Sequence, residues 1–122
     1  RRPVSRIKPG DFLPLKPVAF QILLSVADGE RHGYAITKEI LGRTAARVRI
    51  EPGNLYRSLR TLLDDGLIVE SARRPAADVD DERRRYYAIT PLGRNVAIAE
   101  TARLESLVAE ARRKKLTVGG RG

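Results

Sequence analysis

The stretch from Pro52 to Gly66 constrains this chain more than any other. Leu55, Leu59, Leu62 and Leu63 recur three and four residues apart, the spacing of one helical face. Proline suits the first turn of a helix and glycine follows its end, so the spacing predicts a helix over 52–65 closed by Gly66. At about 100° per residue the leucines form one buried seam. Gly53, Asn54, Arg57, Arg60 and Thr61 then fall on or beside the opposite face. That outer face offers long donors able to grip guanine, an amide able to grip adenine, and no bulky apolar group. Gly53 keeps the start of the helix slim, and a helix N-terminus favours phosphate. Asp64 and Asp65 have the wrong sign for a polyanion but lie at the far end. The same face would equally serve as an ordinary solvated surface bearing two arginines.

The segments around this helix supply its setting. Residues 15–28 predict a first helix, with Val18, Ile22 and Val26 at helical spacing beside Ala19 and Leu23. Residues 34–41 predict a second, with Ile36, Ile40 and Leu41 on one side and Gly42 as its stop. Alternation in Arg47-Val48-Arg49-Ile50 suits a short extended piece. Residues 67–71 and 84–89 read as two strands joined by the polar stretch PAADVDDE. Tyr86 and Tyr87 point to opposite faces of the second, so one belongs to the core and the other near the surface. Thr90-Pro91 begins a long helix, the hydroxyl able to cap and the proline suited to the first turn. The expected fold class is mainly α with a small β-hairpin: a winged helix-turn-helix plus a long C-terminal dimerisation helix. Residues 1–14, with Arg1, Arg2, Arg6 and Lys8 among prolines, read as a basic arm. Residues 15–90 are the winged domain, 91–116 the long helix and 117–122 a flexible tail.

Charge narrows the partners. Lys and Arg number 24 against 15 Asp and Glu, a formal net charge of +9 that attracts polyanions by field alone. In the hairpin, antiparallel pairing brings Arg73 and Arg74 beside Arg83, Arg84 and Arg85. Either DNA phosphates or the loop's own Asp78, Asp80, Asp81 and Glu82 can neutralise them. Those four acids lack the glycine-centred calcium pattern and predict no metal site. The chain has no cysteine, which removes disulfides, thiolate nucleophiles and Cys-ligated zinc. His32 is the only histidine, and at the entry to a helix it reads as a turn residue rather than a ligand or base. With no phosphate-cradling loop, triad or paired carboxylates, the chain is not expected to be an enzyme or to need a cofactor. No apolar run approaches the ~20 residues that span a bilayer, and no export signal is visible, so the expected location is cytoplasmic, away from membranes.

The long helix predicts self-association. At about 1.5 Å per residue, roughly 25 residues would extend about 37 Å, more than a small winged domain covers. Leu92, Val96 and Ala99 followed by Leu104, Leu107, Val108 and Ala111 make an apolar stripe whose simplest cover is the same helix of a second subunit. Val96, Leu104, Leu107, Val108 and Ala111 are the expected dimer contacts. The alternative is that the helix folds back wholly on its own domain.

Several short motifs, taken in order, resemble the PadR family of transcription regulators. They are Gly33-Tyr34-Ala35-Ile36, Gly53-Asn54-Leu55-Tyr56 with Leu59 and Leu62, Gly66-Leu67-Ile68, and Tyr87-Ala88-Ile89-Thr90 followed by Gly93. The resemblance implies a homodimer on pseudo-palindromic double-stranded DNA, repression, and release by a small molecule or another signal. It makes residues 53–61 the recognition helix and adds Tyr56, which borders the core, to the contact set. The chain departs from the pattern at Arg57, where many members have proline, and in a final helix without aromatics. A different class of function is a winged-helix module whose arginines meet acidic protein partners.

Overall fold

Prolines open three of the four helices, where their missing N–H costs no helical hydrogen bond. The structure, a computed structural model, describes residues 7–71 and 85–118. Its elements run α1 (Pro17–Val26), β1 (Arg31–His32), α2 (Gly33–Arg43), α3 (Pro52–Asp64), β2 (Ile68–Glu70), β3 (Tyr86–Ile89) and α4 (Pro91–Arg113). The fold is mainly α with a small antiparallel sheet and a long C-terminal helix, as expected. The sheet has three strands in the order β1-β3-β2. The outer strand β1 was not foreseen; Arg31 pairs with Tyr87 and His32 with Tyr86.

The core is one cluster that joins every helix. Ile22, Leu23 and Val26 of α1 meet Ile36 and Ile40 of α2 and the α3 seam of Leu55, Leu59 and Leu62. Leu67, Ile68, Tyr87 and Val96 close it from the sheet and α4. Each such leucine contributes roughly 1.5–3 kcal/mol by leaving water. Tyr87 is the core tyrosine, whereas Tyr86 is half-buried and meets the His32 ring edge-on.

Several boundaries differ from expectation for physical reasons. Helix α2 continues through Gly42 and ends at Arg43; Ala45 and Ala46, both at positive φ, turn the chain instead. Their N–H groups cap the carbonyls of Gly42 and Leu41. Residues 47–50 form no strand, yet the alternation holds, with Val48 and Ile50 inward and Arg47 and Arg49 exposed. Within the expected basic arm, Pro9–Phe12 forms a turn of 3-10 helix, and Phe12 and Leu13 pack against the core.

Two polar clusters tie elements together. Ser25 of α1 is fully buried and donates to Glu39 Oε1 at 2.7 Å, while Arg43 Nη1 donates to Gln21 Oε1 at 2.7 Å. On α4, Glu100 is only 2% exposed, gripped by Arg103 through two bonds of 2.7 Å. The arginine bonds hold the Glu100 carboxyl below its ordinary range against the opposing cost of burial, with help from the Leu15 backbone N–H. Arg43, and behind it Ser25, do the same for Glu39.

A tight corner joins the sheet to α4. Thr90 Oγ1 accepts from Gly93 N–H at 2.9 Å and donates to the Gly66 carbonyl at 2.7 Å. A Cβ at Gly93 would lie 1.9 Å from the Leu67 carbonyl oxygen, so only glycine fits. Gly66 itself has φ +77, which turns the chain out of α3.

Gly93→Ala is therefore expected to destabilise the fold by roughly 2–3 kcal/mol through overpacking, lowering Tm by several degrees. Gly53→Ala, whose added methyl meets open space, is expected to be neutral or to stabilise by up to about 1 kcal/mol. Equal melting curves for the two variants would contradict the corner. Because both carboxyl pKa values are depressed in the fold, their stabilisation is present at neutral pH. It is lost as pH falls from about 4.3 through the depressed folded values. In urea titrations Glu100→Gln should be weaker than wild type at pH 7 but lose less stability on acidification; parallel pH profiles would refute this.

Candidate nucleic-acid interface

The seam that buries one side of α3 dictates what the other side presents. Gly53, Asn54, Arg57, Arg60 and Thr61 are all exposed, as expected. Neither Arg57 nor Arg60 has an ion-pair or hydrogen-bond partner for its guanidinium among the described residues. Asp64 and Asp65 stand at the C-terminal end of the helix, Asp64 one turn beyond Arg60, and neither pairs with Arg57 or Arg60 among the described residues. Thr61 is less free, since its hydroxyl donates back to the Arg57 carbonyl at 3.2 Å and keeps only acceptor capacity for a partner.

Tyr56 is half-buried, and its ring fills the space beside Gly33, where a Cβ would sit 3.1 Å from the phenol oxygen. Gly33 thus lets α2 and α3 approach. Tyr56 also lines a small groove between α3 and the wing with Arg60, Glu70 and Arg85. Arg85 is exposed, and its Nη1 lies 3.4 Å from Glu70 Oε2 across the ladder. Among the described residues its acidic partner is thus a residue of β2. Arg73, Arg74, Arg83 and Arg84, with the loop acids, lie outside the described residues.

The other flank of α3 faces a larger cavity of about 640 Å³ between it, α1 and the segment leading into α1. Asn54, Arg57 and Thr61 line its α3 wall. Two exposed arginines, Arg47 and Arg49, precede α3 and were not singled out from the sequence; the alternation that seats Val48 and Ile50 inward was their signal. Lys38 of α2 was also missed: its ammonium lies 5.3 Å from the centre of the exposed Tyr34 ring. His32 was expected in a turn but is the last residue of β1, and its Nδ1 accepts from Ala35 N–H at 3.0 Å to cap α2.

The expected dimer contacts divide. Val96 has no exposed surface and belongs to the domain's own core, which corrects its assignment to an intersubunit face. Leu107 and Val108 are 56% and 46% exposed, and Ala111 is half-buried. Leu104 and Val108 share a shallow groove of about 310 Å³ with Phe20 of α1. Among the described residues no helix is long and apolar enough to cross a membrane, and no acid, histidine or cysteine cluster suits a metal ion.

Comparison with known proteins gives a consistent result. The model of the PadR family, described as a transcriptional regulator PadR-like family, matches residues 22–99. A transcriptional regulator of Mycobacterium tuberculosis is 38% identical over 93 residues, 76% of this chain and 80% of that protein. A transcriptional regulator from Clostridium thermocellum superposes with a TM-score of 0.66 at 27% identity, covering 82% of this chain and 90% of that one. Bacillus subtilis PadR, solved in complex with operator DNA, superposes with a TM-score of 0.61 over 83% of this chain and 63% of that one. At 17% identity that likeness is one of fold. The matched span runs from Ile22 in α1 to Ala99 in α4 and takes in the helix-turn-helix and the paired strands. The chain belongs to the PadR-like family of transcriptional regulators.

Proposed function

We propose that this chain is a sequence-specific, double-stranded DNA-binding repressor that acts as a homodimer on a pseudo-palindromic operator and is released by a small molecule. The observation that carries the reading is the pair of exposed guanidiniums, Arg57 and Arg60, without partners among the described residues, opposite a buried leucine seam on a helix that follows a turn. Such a helix enters the major groove by its N-terminal half, where Gly53 lets the backbone approach. Arg57 and Asn54 read bases, and Arg60 lies toward the wing. The hairpin arginines Arg73, Arg74, Arg83, Arg84 and Arg85, together with Arg47 and Arg49, meet phosphates and set orientation. Fold likeness to a regulator solved with its operator supports the reading. The dimer rests on Leu104, Leu107, Val108 and Ala111 of α4, whose exposed apolar surface a second α4 would cover.

Selection of bound sequences from random duplexes by the purified protein is the direct test, with the expected result a two-fold-related consensus. Log affinity for that site should fall linearly with log salt. Arg57→Ala should cost roughly 1–3 kcal/mol of discrimination at one position of each half-site. Arg47→Ala should weaken all duplexes alike and reduce the salt slope by about 1. Equal losses on every duplex for Arg57→Ala would remove it as a base reader. No enriched sequence, with tight binding to an acidic polypeptide, would favour a protein-interaction module instead. Leu107→Glu should convert a dimer to a monomer in sedimentation, and an unchanged mass would refute that interface.

A further inference from the structure

His32 belongs to two elements at once. As the last residue of β1 it pairs with Tyr86 of β3, whose ring meets the imidazole edge-on at 5.3 Å. Its Nδ1 also accepts the Ala35 N–H at 3.0 Å and so caps α2. Helix caps are usually hydroxyls, amides or carboxylates, and a hydroxyl or amide stays an acceptor at any physiological pH. An imidazole accepts only while it is neutral, with its proton on Nε2; the imidazolium has two donors and no acceptor. Protonation therefore removes the cap and sets a cation at the positive end of a helix, and both changes are unfavourable. His32 is the only histidine of the chain, the one side-chain type that ordinarily titrates between pH 5 and 8.

Among the described residues, Arg31, Tyr34, Lys38 and Glu39 share a shallow depression with the ring. Arg31 and Lys38 oppose a further positive charge there. The Glu39 carboxylate is engaged by Arg43 and Ser25, and Glu30, two residues before the ring, accepts from the Ser71 hydroxyl at 2.5 Å. The face of a tyrosine ring attracts a cation, an effect smaller than loss of the cap together with the helix-dipole penalty. The first turn of α2 also bears directly on α3, because Gly33 packs against the Tyr56 ring.

We propose that His32 is a proton-operated latch: neutral, it fastens the stem of the wing to α2, and protonated, it releases the first turn of α2. Release loosens the seat of Tyr56, so the pose of α3 blurs and discrimination between operator and other duplexes falls in acid. That consequence rests on the DNA-reading role of α3; the latch does not. A bond to the neutral ring resists proton uptake, so the stabilisation is full above the ordinary histidine value of about 6.5 and is lost as pH falls below it.

The test follows the single imidazole by NMR from about pH 7.5 to about pH 5 at fixed ionic strength. At the upper end the ring nitrogens should report the Nε2–H tautomer, and a proton on Nδ1 would overturn the cap. The Ala35 amide shift should titrate with the midpoint of the ring; a ring that titrates while the Ala35 amide stays still would overturn the latch. In urea, the unfolding constant of the wild type should rise about fivefold over this range beyond any change in His32→Asn, since asparagine caps without titrating. The same pH dependence in both proteins would overturn the assignment to His32. The ratio of affinities for a selected duplex and a scrambled one should fall about threefold on acidification in the wild type and stay constant in His32→Asn. Taking the ratio cancels the general gain in positive charge, which favours every duplex alike. A constant ratio in the wild type would overturn the coupling to α3 and leave the DNA reading standing. Absence of duplex binding at any pH would remove the DNA reading, and the coupling with it, while the Ala35 titration still decides the latch.

Discussion

The close approach of Gly93 to the Leu67 carbonyl is the contact on which the arrangement of parts depends. At that point the end of α3, the first residue beyond its glycine turn, the close of β3 and the start of α4 all meet. The Thr90 hydroxyl serves two roles there, capping α4 and bonding the Gly66 carbonyl. The direction of the long helix is therefore set by the same few atoms that end α3. A side chain at residue 93 would push these elements apart, and both the outward face of α3 and the exposed leucines of α4 would lose their fixed relation.

From this corner the physical division of α3 follows. One side is seam, and the rest is split by neighbours into two flanks. Tyr56 and Arg60 look toward the wing, where Glu70 and Arg85 pair, and Asn54 and Thr61 look toward the cavity beside α1. Arg57 shares that cavity flank, its guanidinium without a partner in the described part of the chain.

Much of the fold was legible because its signals were periodic or chemical. The α3 leucines, the prolines at helix starts and the Thr90 cap each follow from local rules that tertiary structure did not override. What escaped had no such signal. Strand β1 is two residues long, too short for alternation to show, and exists because β3 has an open edge beside it. Gly42 suggested a helix end, but two alanines in the left-handed region made the turn. Val96 fitted the stripe of α4 as well as Leu107 did. Only the placement of α4 across the core shows that the first turns face the parent domain and the later ones do not. The cavity was invisible for the same reason, since its walls come from segments distant in sequence.

One consequence lies in the lack of any connector between β1 and α2. His32 is the last residue of β1, opposite Tyr86 of the wing, and the next residue opens α2 with the His32 imidazole as its cap. The described stem of the wing and the first helix of the helix-turn-helix are thus spliced, without a hinge between them. Any shift of that stem is handed straight to the base of α2, and the two would move over a surface as a single rigid jaw.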